Sequence, residues 1–325
     1  LKPGHLLAQG PRLCGAVRVA DIGLAPVWQT TDARHVAAPT VALAKPDGHK
    51  YDHGQALVLS GGFGRTGAAR LAAQAALRVG AGLVTVAAPG SALMEVACQI
   101  TALMLTRVDD AAALAQVLDD GRITALCLGP GLGLERARAL VPAALASGKA
   151  CVLDADALTG FAAAPQALFD RLHARCVLTP HDGEFARLFP DLAEPLRAPA
   201  QSGPAPSRLD AVVQAAARAG CTVLLKGPDT VIATPDGARA VHAAVGARAA
   251  PQLATAGSGD VLAGIITGLL ARGAAPLAAA ETAAWLHVEA ARHVGAGLVA
   301  EDLSQALAAV LSGRSGTAAE AAGDR

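Results

Sequence analysis

The sequence has 325 residues, and its 27 Lys and Arg balance its 27 Asp and Glu, so the formal net charge is zero. This balance excludes the strongly basic surface typical of nucleic-acid-binding proteins and the acidic excess typical of disordered chains. Hydrophobic residues make up 53% of the chain but aromatic residues only 2%, so small aliphatic side chains must fill the core. The apolar stretch over residues 261–271 is too short to cross a bilayer, which takes about 20 residues. We expect neither a nucleic-acid nor a membrane partner.

The cysteines form no C-x-x-C pair, and several lie inside apolar runs. This pattern indicates buried, reduced thiols in a cytoplasmic protein. The six are Cys14, Cys98, Cys127, Cys151, Cys176 and Cys221.

In chain order, a strand-like piece over residues 16–26 comes first, and the polar residues 28–52 indicate a linker and domain entry. From residue 55, apolar strand-like runs alternate with alanine-rich runs of helical spacing, which predicts a mostly parallel sheet with helices on both faces. The predicted helices include residues 68–79, 135–146 and 209–219. The predicted strands lie in the runs ALVLS, GLVTVAAP, ALCLGP, ACVLDAD, CVLTP and CTVLLKG.

The C-terminal part follows a different pattern. Residues 230–242 predict a hairpin that turns at Asp236 and Gly237, and three helices follow over residues 261–271, 276–293 and 301–311. Residues 190–206 contain five prolines and no periodicity, which predicts a surface loop. The small polar residues from 312 onward predict a frayed tail.

The glycine cluster after the first regular strand has the spacing G-x-G-x-x-G at Gly62, Gly64 and Gly67. A dinucleotide-binding Rossmann turn would need an acidic residue about 20 positions later, and no carboxylate follows before Glu95. A Rossmann dehydrogenase is therefore disfavoured. Two interpretations stay open: a tight turn that requires small residues, or a substrate-contacting loop in another α/β architecture, whose ligands lie at the carboxyl ends of strands.

Other predicted strand ends also carry candidate residues. The run LGPGLG (residues 128–133) offers backbone N–H groups that an anion can approach closely. Asp154 and Asp156 follow the next strand, and we expect one carboxylate to enter a cleft and the other to cap a helix. In TPHDGE (residues 179–184), His181 and its acidic neighbours are either metal ligands or, as we favour, a helix cap that touches substrate.

The last two candidates are a lysine and a helix start. Lys226 ends a buried strand, where its charge requires an anion such as phosphate or, alternatively, a structural salt bridge. Gly257, Ser258 and Gly259 precede Asp260 and an apolar helix, so successive N–H groups at the helix start form an anion hole. A carboxylate at position 260 is suited to accept a proton beside a transferring phosphoryl group.

Taken together and in this order, the motifs GGFGRTGAARL, GPGLG, LDADAL, TPHDGE, KGPDT and LATAGSGDVLAG resemble the NAD(P)H-hydrate dehydratase family. The resemblance covers residues 36–312 and implies an α/β fold of the ribokinase-like type: three α-β-α layers with a mostly parallel central sheet. It also implies ADP or ATP as co-substrate, together with Mg²⁺. One difference is that APQL (residues 250–253) stands where the family usually has an Asn-Pro-Gly stretch.

The resemblance assigns roles to individual residues. Asp260 would be the catalytic residue, and Ala68, Gly131, His181 and Asp260 would contact the hydrated nicotinamide nucleotide, with no protein residue assigned to a metal. The residues that would hold the adenine nucleotide are Lys226, Gly227, Pro228, Asp229, Thr230, Gly257, Ser258 and Gly259.

The domain boundaries follow from the same comparison. Residues 1–35 resemble the end of the NAD(P)HX epimerase domain that precedes the dehydratase in bacterial fusions, plus a linker. Residues 36–314 form the expected dehydratase domain, and residues 315–325 a flexible tail. The epimerase pocket would lie upstream of Leu1, so we expect no epimerase activity from this chain.

The implied function is repair of nicotinamide nucleotides. ADP would phosphorylate the ring hydroxyl of the S-form of NADHX or NADPHX, and loss of phosphate would restore NADH or NADPH. Two alternatives stay open: a kinase of the same fold for a vitamin precursor or sugar, and an inactive nucleotide-binding partner of an upstream epimerase. Relatives of this fold often assemble through exposed helices, so we also expect a homo-oligomer.

Overall fold

The computed structural model describes residues 2–23, 33–197 and 206–322, the last nine of these by their backbone. Its strands within these ranges are β1 (Arg34–His35), β2 (Gln55–Leu59), β3 (Leu83–Ala88), β4 (Met104–Arg107), β5 (Ile123–Leu128), β6 (Ala150–Leu153), β7 (Cys176–Leu178), β8 (Thr222–Leu225), β9 (Asp229–Ala233) and β10 (Arg239–Ala243).

The α-helices lie between and after these strands. They are α1 (Gly10–Cys14), α2 (Gly67–Arg78), α3 (Leu93–Ala97), α4 (Ala111–Leu118), α5 (Leu134–Ala146), α6 (Asp156–Thr159), α7 (Pro165–Phe169), α8 (Asp182–Leu188), α9 (Pro190–Arg197), α10 (Arg208–Ala219), α11 (Ser258–Ala271), α12 (Pro276–Val294) and α13 (Ala300–Ala322).

The strands form one sheet in the order β1-β10-β9-β8-β7-β6-β5-β2-β3-β4. Among the described strands, only β9 pairs antiparallel with its neighbours, β8 and β10. The parallel arrangement buries both faces, so the central strands read as continuous apolar runs. The predicted mostly parallel sheet and the hairpin at Asp236 and Gly237 are therefore confirmed.

Strand β2 shows how the sequence divides the core. Ala56 and Val58 belong to one apolar cluster with α2, α11, α12 and α13. Leu57 and Leu59 belong to a second cluster with α4, α5, α8, α9 and α10. Because alternate residues of a strand point to opposite faces, the two clusters lie on opposite sides of the sheet. The expected three layers are confirmed.

The strand order places a topological switch point at β2. The chain proceeds from β2 outward through β3 and β4, and then returns to the other side of β2 as β5. Crevices at such switch points, outside the carboxyl ends of the strands, are the usual ligand sites of open α/β sheets. The glycine loops after β2 and β5 lie at this point.

Two sequence predictions are wrong. Residues 16–23 form no strand, and their apolar side chains Val17, Val19 and Ile22 stay exposed, so no burial stabilises an extended pairing. Residues 24–26 lie outside the described residues. Residues 190–197 are helical rather than a loop, since Leu192 and Ala193 pack into the core. Residues 198–205 are outside the described ranges.

The structure also adds elements that the sequence did not predict. The two-residue β1 and the four-residue β4 are short outer strands, too brief for a clear pattern. The last helix continues beyond the predicted end at residue 311 to Ala322. All six cysteines are free, and four of them are buried as predicted, whereas Cys14 and Cys98 are exposed. Within the described ranges, every helix is too short or too polar to span a bilayer.

Candidate active site

Two glycine loops meet at the carboxyl ends of β2 and β5. A Cβ atom at Gly61 would lie 2.0 Å from the Gly131 carbonyl oxygen, and one at Gly131 would lie 3.3 Å from the Ala68 Cβ. Gly131 also has a φ of +61°, which only glycine adopts readily. The predicted substrate residues Ala68 and Gly131 are thus neighbours, and the close contact between the two loops is made at Gly61, directly before the G-x-G-x-x-G glycines.

Lys226 follows β8 and is surrounded by carboxylates. Its Nζ lies 2.6 Å from Asp154 Oδ1 and 3.9 Å from Glu184 Oε2, and the three side chains are only 19%, 2% and 6% exposed. Burial lowers the pKa of Lys226, but the charges of Asp154 and Glu184 outweigh it and raise the pKa overall. Burial raises the pKa of Glu184, which Lys226 opposes. The salt bridge considered for Lys226 is therefore present.

Helix α11 begins beside this lysine. Gly257 is its N-cap with a φ of 88°, and no side chain caps the helix, so its first N–H groups are available to an anion. A Cβ at Gly259 would lie 3.4 Å from Lys226 Nζ and 3.9 Å from Asp154 Oδ2. The predicted anion hole and the Lys226–Asp154 pair are therefore neighbours.

Asp260 lies in the first turn of α11, within electrostatic reach of Lys226 and Asp154. Burial, with a further contribution from the Asp154 charge, raises the pKa of Asp260 to about 7, although Lys226 opposes the shift. A carboxyl group with a pKa near neutrality can both accept and release a proton at physiological pH. The side chain thus has the properties of a general base.

His181 caps helix α8. Its Nδ1 accepts the Gly183 N–H at 2.9 Å, while Glu184 Oε2 accepts the His181 N–H at 2.9 Å. With Nδ1 accepting, the proton of the neutral ring is on Nε2, 3.5 Å from Glu184 Oε1. The favoured helix-cap interpretation is confirmed, and no group of three or more His, Cys, Asp and Glu suited to a metal occurs among the described residues.

A cavity of about 800 Å³ opens between the β8–β9 turn, the start of α11 and helix α12. It brings together seven of the predicted site residues, which are His181, Lys226, Gly227, Pro228, Thr230, Ser258 and Gly259. Its apolar lining residues include Ala250, Pro251 and Leu253 of the APQL stretch. A volume of this size, with a mostly apolar lining and a few polar groups, suits a nucleotide.

The remaining predicted residues lie outside this cavity. The Asp229 carboxylate instead accepts the Ala8 N–H at 2.8 Å and lies 3.8 Å from Arg208 Nε. Asp156 is also not a helix cap, because its carboxylate accepts the Gly133 N–H at 2.7 Å and so fixes the second glycine loop. Ala68, Gly131, Gly257 and Asp260 do not line the cavity.

Comparison with known proteins decides the family. The family model of the NAD(P)H-hydrate dehydratases matches residues 56–312. The chain belongs to the NAD(P)H-hydrate dehydratase family. Curated members similar to it include the bifunctional NAD(P)H-hydrate repair enzymes of Moorella thermoacetica and Salinibacter ruber. Both are 36% identical to this chain; the first match covers 95% of it and the second 97%. The chain spans about 60% of the length of these relatives.

Solved structures agree with the family assignment. An ADP/ATP-dependent NAD(P)H-hydrate dehydratase from Bacillus subtilis, co-crystallised with ATP and Mg²⁺, is 27% identical with a TM-score of 0.66 over 83% of this chain and 93% of its own. A ribokinase-like protein from Enterococcus faecalis has a TM-score of 0.70 at 22% identity, over 89% of this chain and 98% of its own. The expected ribokinase-like fold of this dehydratase family member is confirmed.

Sequence reasoning missed the roles of Glu184 and His287. Glu184 appeared in TPHDGE only as a possible metal ligand or cap, yet it lies beside Lys226. His287 is buried in α12, where Nε2 donates to the Ser258 carbonyl at 2.9 Å and supports the anion hole. Burial lowers the pKa of His287 to about 4, so the ring is neutral. A single histidine in an apolar helix gave no signal for this contact.

The carboxylates of the site fit a family cofactor ion, Mg²⁺. This ion prefers oxygen ligands, keeps several waters and is usually held by one or two carboxylates together with substrate phosphates. Asp154 and Glu184 both lie beside Lys226, at 2.6 and 3.9 Å from its Nζ, and Asp154 lies near the start of α11. Two such carboxylates suffice for a nucleotide-bound ion, so a larger cluster is not required.

Proposed function

We propose that this chain dehydrates the S-form of NADHX and NADPHX to NADH and NADPH, with ADP as the phosphoryl donor. The observation that carries the proposal is the position of Asp260, a carboxyl group with a pKa raised to about 7, beside Lys226 and an uncapped helix start. Family membership supports the same reaction. The related B. subtilis dehydratase is described as ADP/ATP-dependent.

The adenine nucleotide would occupy the cavity. Its AMP part would lie next to Lys226, Gly227, Pro228 and Thr230, which line the cavity. Its phosphates would lie at residues 257–259, where helix N–H groups and the lysine ammonium stabilise negative charge. Asp229 would support the turn between β8 and β9 through its contacts with Ala8 and Arg208, which lie outside the cavity.

The hydrated nicotinamide nucleotide would lie on the other side of Asp260, against the two glycine loops at Ala68 and Gly131. The glycines of these loops would let a dinucleotide approach their backbone groups closely. His181, which lines the cavity with its Nε2–H, would contact the substrate from the β7 side. This arrangement places Asp260 between phosphoryl donor and acceptor.

Two steps restore the reduced ring. Asp260 accepts the proton of the ring hydroxyl as its oxygen attacks the terminal phosphorus, and the bond from that phosphorus to the bridging oxygen of ADP breaks, which releases AMP. The ring nitrogen's lone pair then expels phosphate with the former hydroxyl oxygen, and the neighbouring carbon loses a proton to re-form the double bond. Phosphorylation thus converts hydroxide, a poor leaving group, into phosphate. Mg²⁺, held by Asp154 and Glu184 with the phosphates, would neutralise nucleotide charge.

The decisive experiment incubates the protein with chemically hydrated NADH and either ADP or ATP, and follows reduced-nicotinamide absorbance and free phosphate together. Reduced nicotinamide and free phosphate are expected to appear in equal amounts, and faster with ADP than with ATP. A stable phosphorylated product without free phosphate would instead indicate a small-molecule kinase. Nucleotide binding without consumption would indicate an inactive partner.

Two further statements stay predictions. The chain is expected to be cytoplasmic and to form a homo-oligomer. The domain limits at residues 35 and 314 also await a test, such as limited proteolysis followed by mass spectrometry. None of these is required for the proposed reaction.

A further inference from the structure

The N-terminal segment Pro3–Cys14, a 3₁₀ turn followed by helix α1, packs against the nucleotide side of the domain. Leu7 is 7% exposed and belongs to the same apolar cluster as Val231 of β9 and Val241 of β10. Pro11 and Arg12 line the cavity that also contains Lys226 and Gly259. This segment lies outside residues 56–312, which match the family model.

A specific hydrogen bond joins the segment to residues 226–230, which are proposed to hold the adenine nucleotide. The Ala8 N–H donates to Asp229 Oδ2 at 2.8 Å, and Asp229 belongs to the turn at residues 226–230. Ala8 has a φ of 51°, a left-handed conformation that is unfavourable for a residue with a Cβ. Such conformations persist where the surrounding contacts determine them, which is consistent with a defined docked position.

Arg12 brings a positive charge to the cavity. Within the described residues, the guanidinium has one hydrogen-bond partner, Gln9 Oε1 at 2.9 Å from Nε, so most of its N–H donors face away from protein acceptors. Lys226, the other Lys or Arg of the lining, is already neutralised by Asp154. A nucleoside diphosphate carries more negative charge than that lysine and the helix start neutralise, and a guanidinium is suited to bind phosphate oxygens.

We propose that the segment Pro3–Cys14 forms one wall of the adenine-nucleotide pocket and that Arg12 is a nucleotide-binding residue that contacts the phosphates. The proposal rests on the proposed function, since it needs an adenine nucleotide in the cavity. It makes nucleotide affinity depend on a segment that precedes the matched dehydratase residues.

The test compares ADP binding by calorimetry, with Mg²⁺ present, for the full chain and three variants. Arg12→Ala is expected to raise the Kd for ADP about tenfold, the effect of one lost charge-assisted hydrogen bond, and Arg12→Lys is expected to raise it less. Arg18→Ala is the matched control, because Arg18 is exposed in the same region and does not line the cavity. Increased salt is expected to narrow the difference between Arg12→Ala and wild type.

Hydrogen exchange provides a second readout. ADP is expected to slow amide exchange over residues 6–14 in the wild-type chain. If wild type binds ADP but Arg12→Ala binds it equally well and residues 6–14 exchange unchanged, this inference is overturned and the proposed function stands. If the wild-type chain binds no adenine nucleotide, both are overturned.

Discussion

At the scale of single residues, the proposed reaction depends on Asp260. We expect Asp260→Asn to lower turnover by roughly 10²–10⁴, the range for loss of a general base. The matched control Asp119→Asn replaces an exposed aspartate before β5, at the opposite edge of the sheet from the site, and should retain turnover. A steady-state assay with hydrated NADH and ADP measures the turnover of both variants. If Asp260→Asn turns over as fast as the wild type, Asp260 is not the general base.

The raised pKa of Asp260 also sets the pH dependence. Below about 7 the carboxyl is protonated and cannot accept a proton, so wild-type kcat/KM should rise with pH through this value and then level off. The same inflection in the residual activity of Asp260→Asn would assign it to another group.

Because the folded-state pKa of Asp260 lies above the ordinary value, folding stability falls as pH rises from about 4 to 7, and Asn at this position should stabilise the protein at pH 8 by about 1–2 kcal/mol.

The buried pair Lys226 and Asp154 is expected to couple strongly. Lys226→Met leaves two buried carboxylates without a cation and should cost about 3–5 kcal/mol of unfolding free energy. In an Asp154→Asn background, Lys226→Met should lower the unfolding free energy by less. The difference between the two effects, measured by urea denaturation, gives a coupling energy of about 1–3 kcal/mol. Arg122→Met, which breaks an exposed pair with Asp120, is the control and should cost under about 1 kcal/mol. Additive single and double variants would show that the pair is not coupled.

At the scale of elements, helices α2 and α11 pack at close range because of glycines. A Cβ at Gly264 would lie 2.1 Å from the Ala72 carbonyl oxygen, far inside van der Waals contact. Gly264→Ala should therefore destabilise the protein by at least about 1–3 kcal/mol, the cost of overpacking, and disturb the helix that carries both Asp260 and the anion hole.

Urea denaturation measures this effect. Gly121→Ala is the control, since no atom lies within 4 Å of a Cβ at that position, and it should change stability by less than about 0.5 kcal/mol. Equal stability of the two variants would mean that α11 can shift away from α2 at no cost.

At the scale of the whole molecule, the two packed faces of the sheet leave few reactive thiols. Only Cys14 and Cys98 are exposed among the six free cysteines, whereas Cys127, Cys151, Cys176 and Cys221 are buried. A thiol-specific chromogenic reagent should therefore react rapidly with two thiols in the native protein and with six in denaturant. Reaction of more than two in the native state would show that the layers open readily.

The sequence by itself determined the architecture and the candidate residues, because both are written in local patterns. Strand and helix periods predict a covered parallel sheet, and polar residues directly after buried strands must lie at one edge of it. The glycines before Asp260 likewise predict an uncapped helix start. Eight of the ten strands were found this way, two of them as the hairpin over residues 230–242. The outer strands β1 and β4 were not, because they are too short to show a period.

Only the tertiary structure decided which groups meet. It pairs Lys226 with Asp154 rather than Asp156, turns Asp229 toward Ala8 and places His287 behind Ser258. These contacts join residues distant in sequence, and their geometry follows from strand order and helix packing, which local periodicity does not encode. The same packing removes water from Asp260 and so gives an ordinary aspartate a pKa near neutrality.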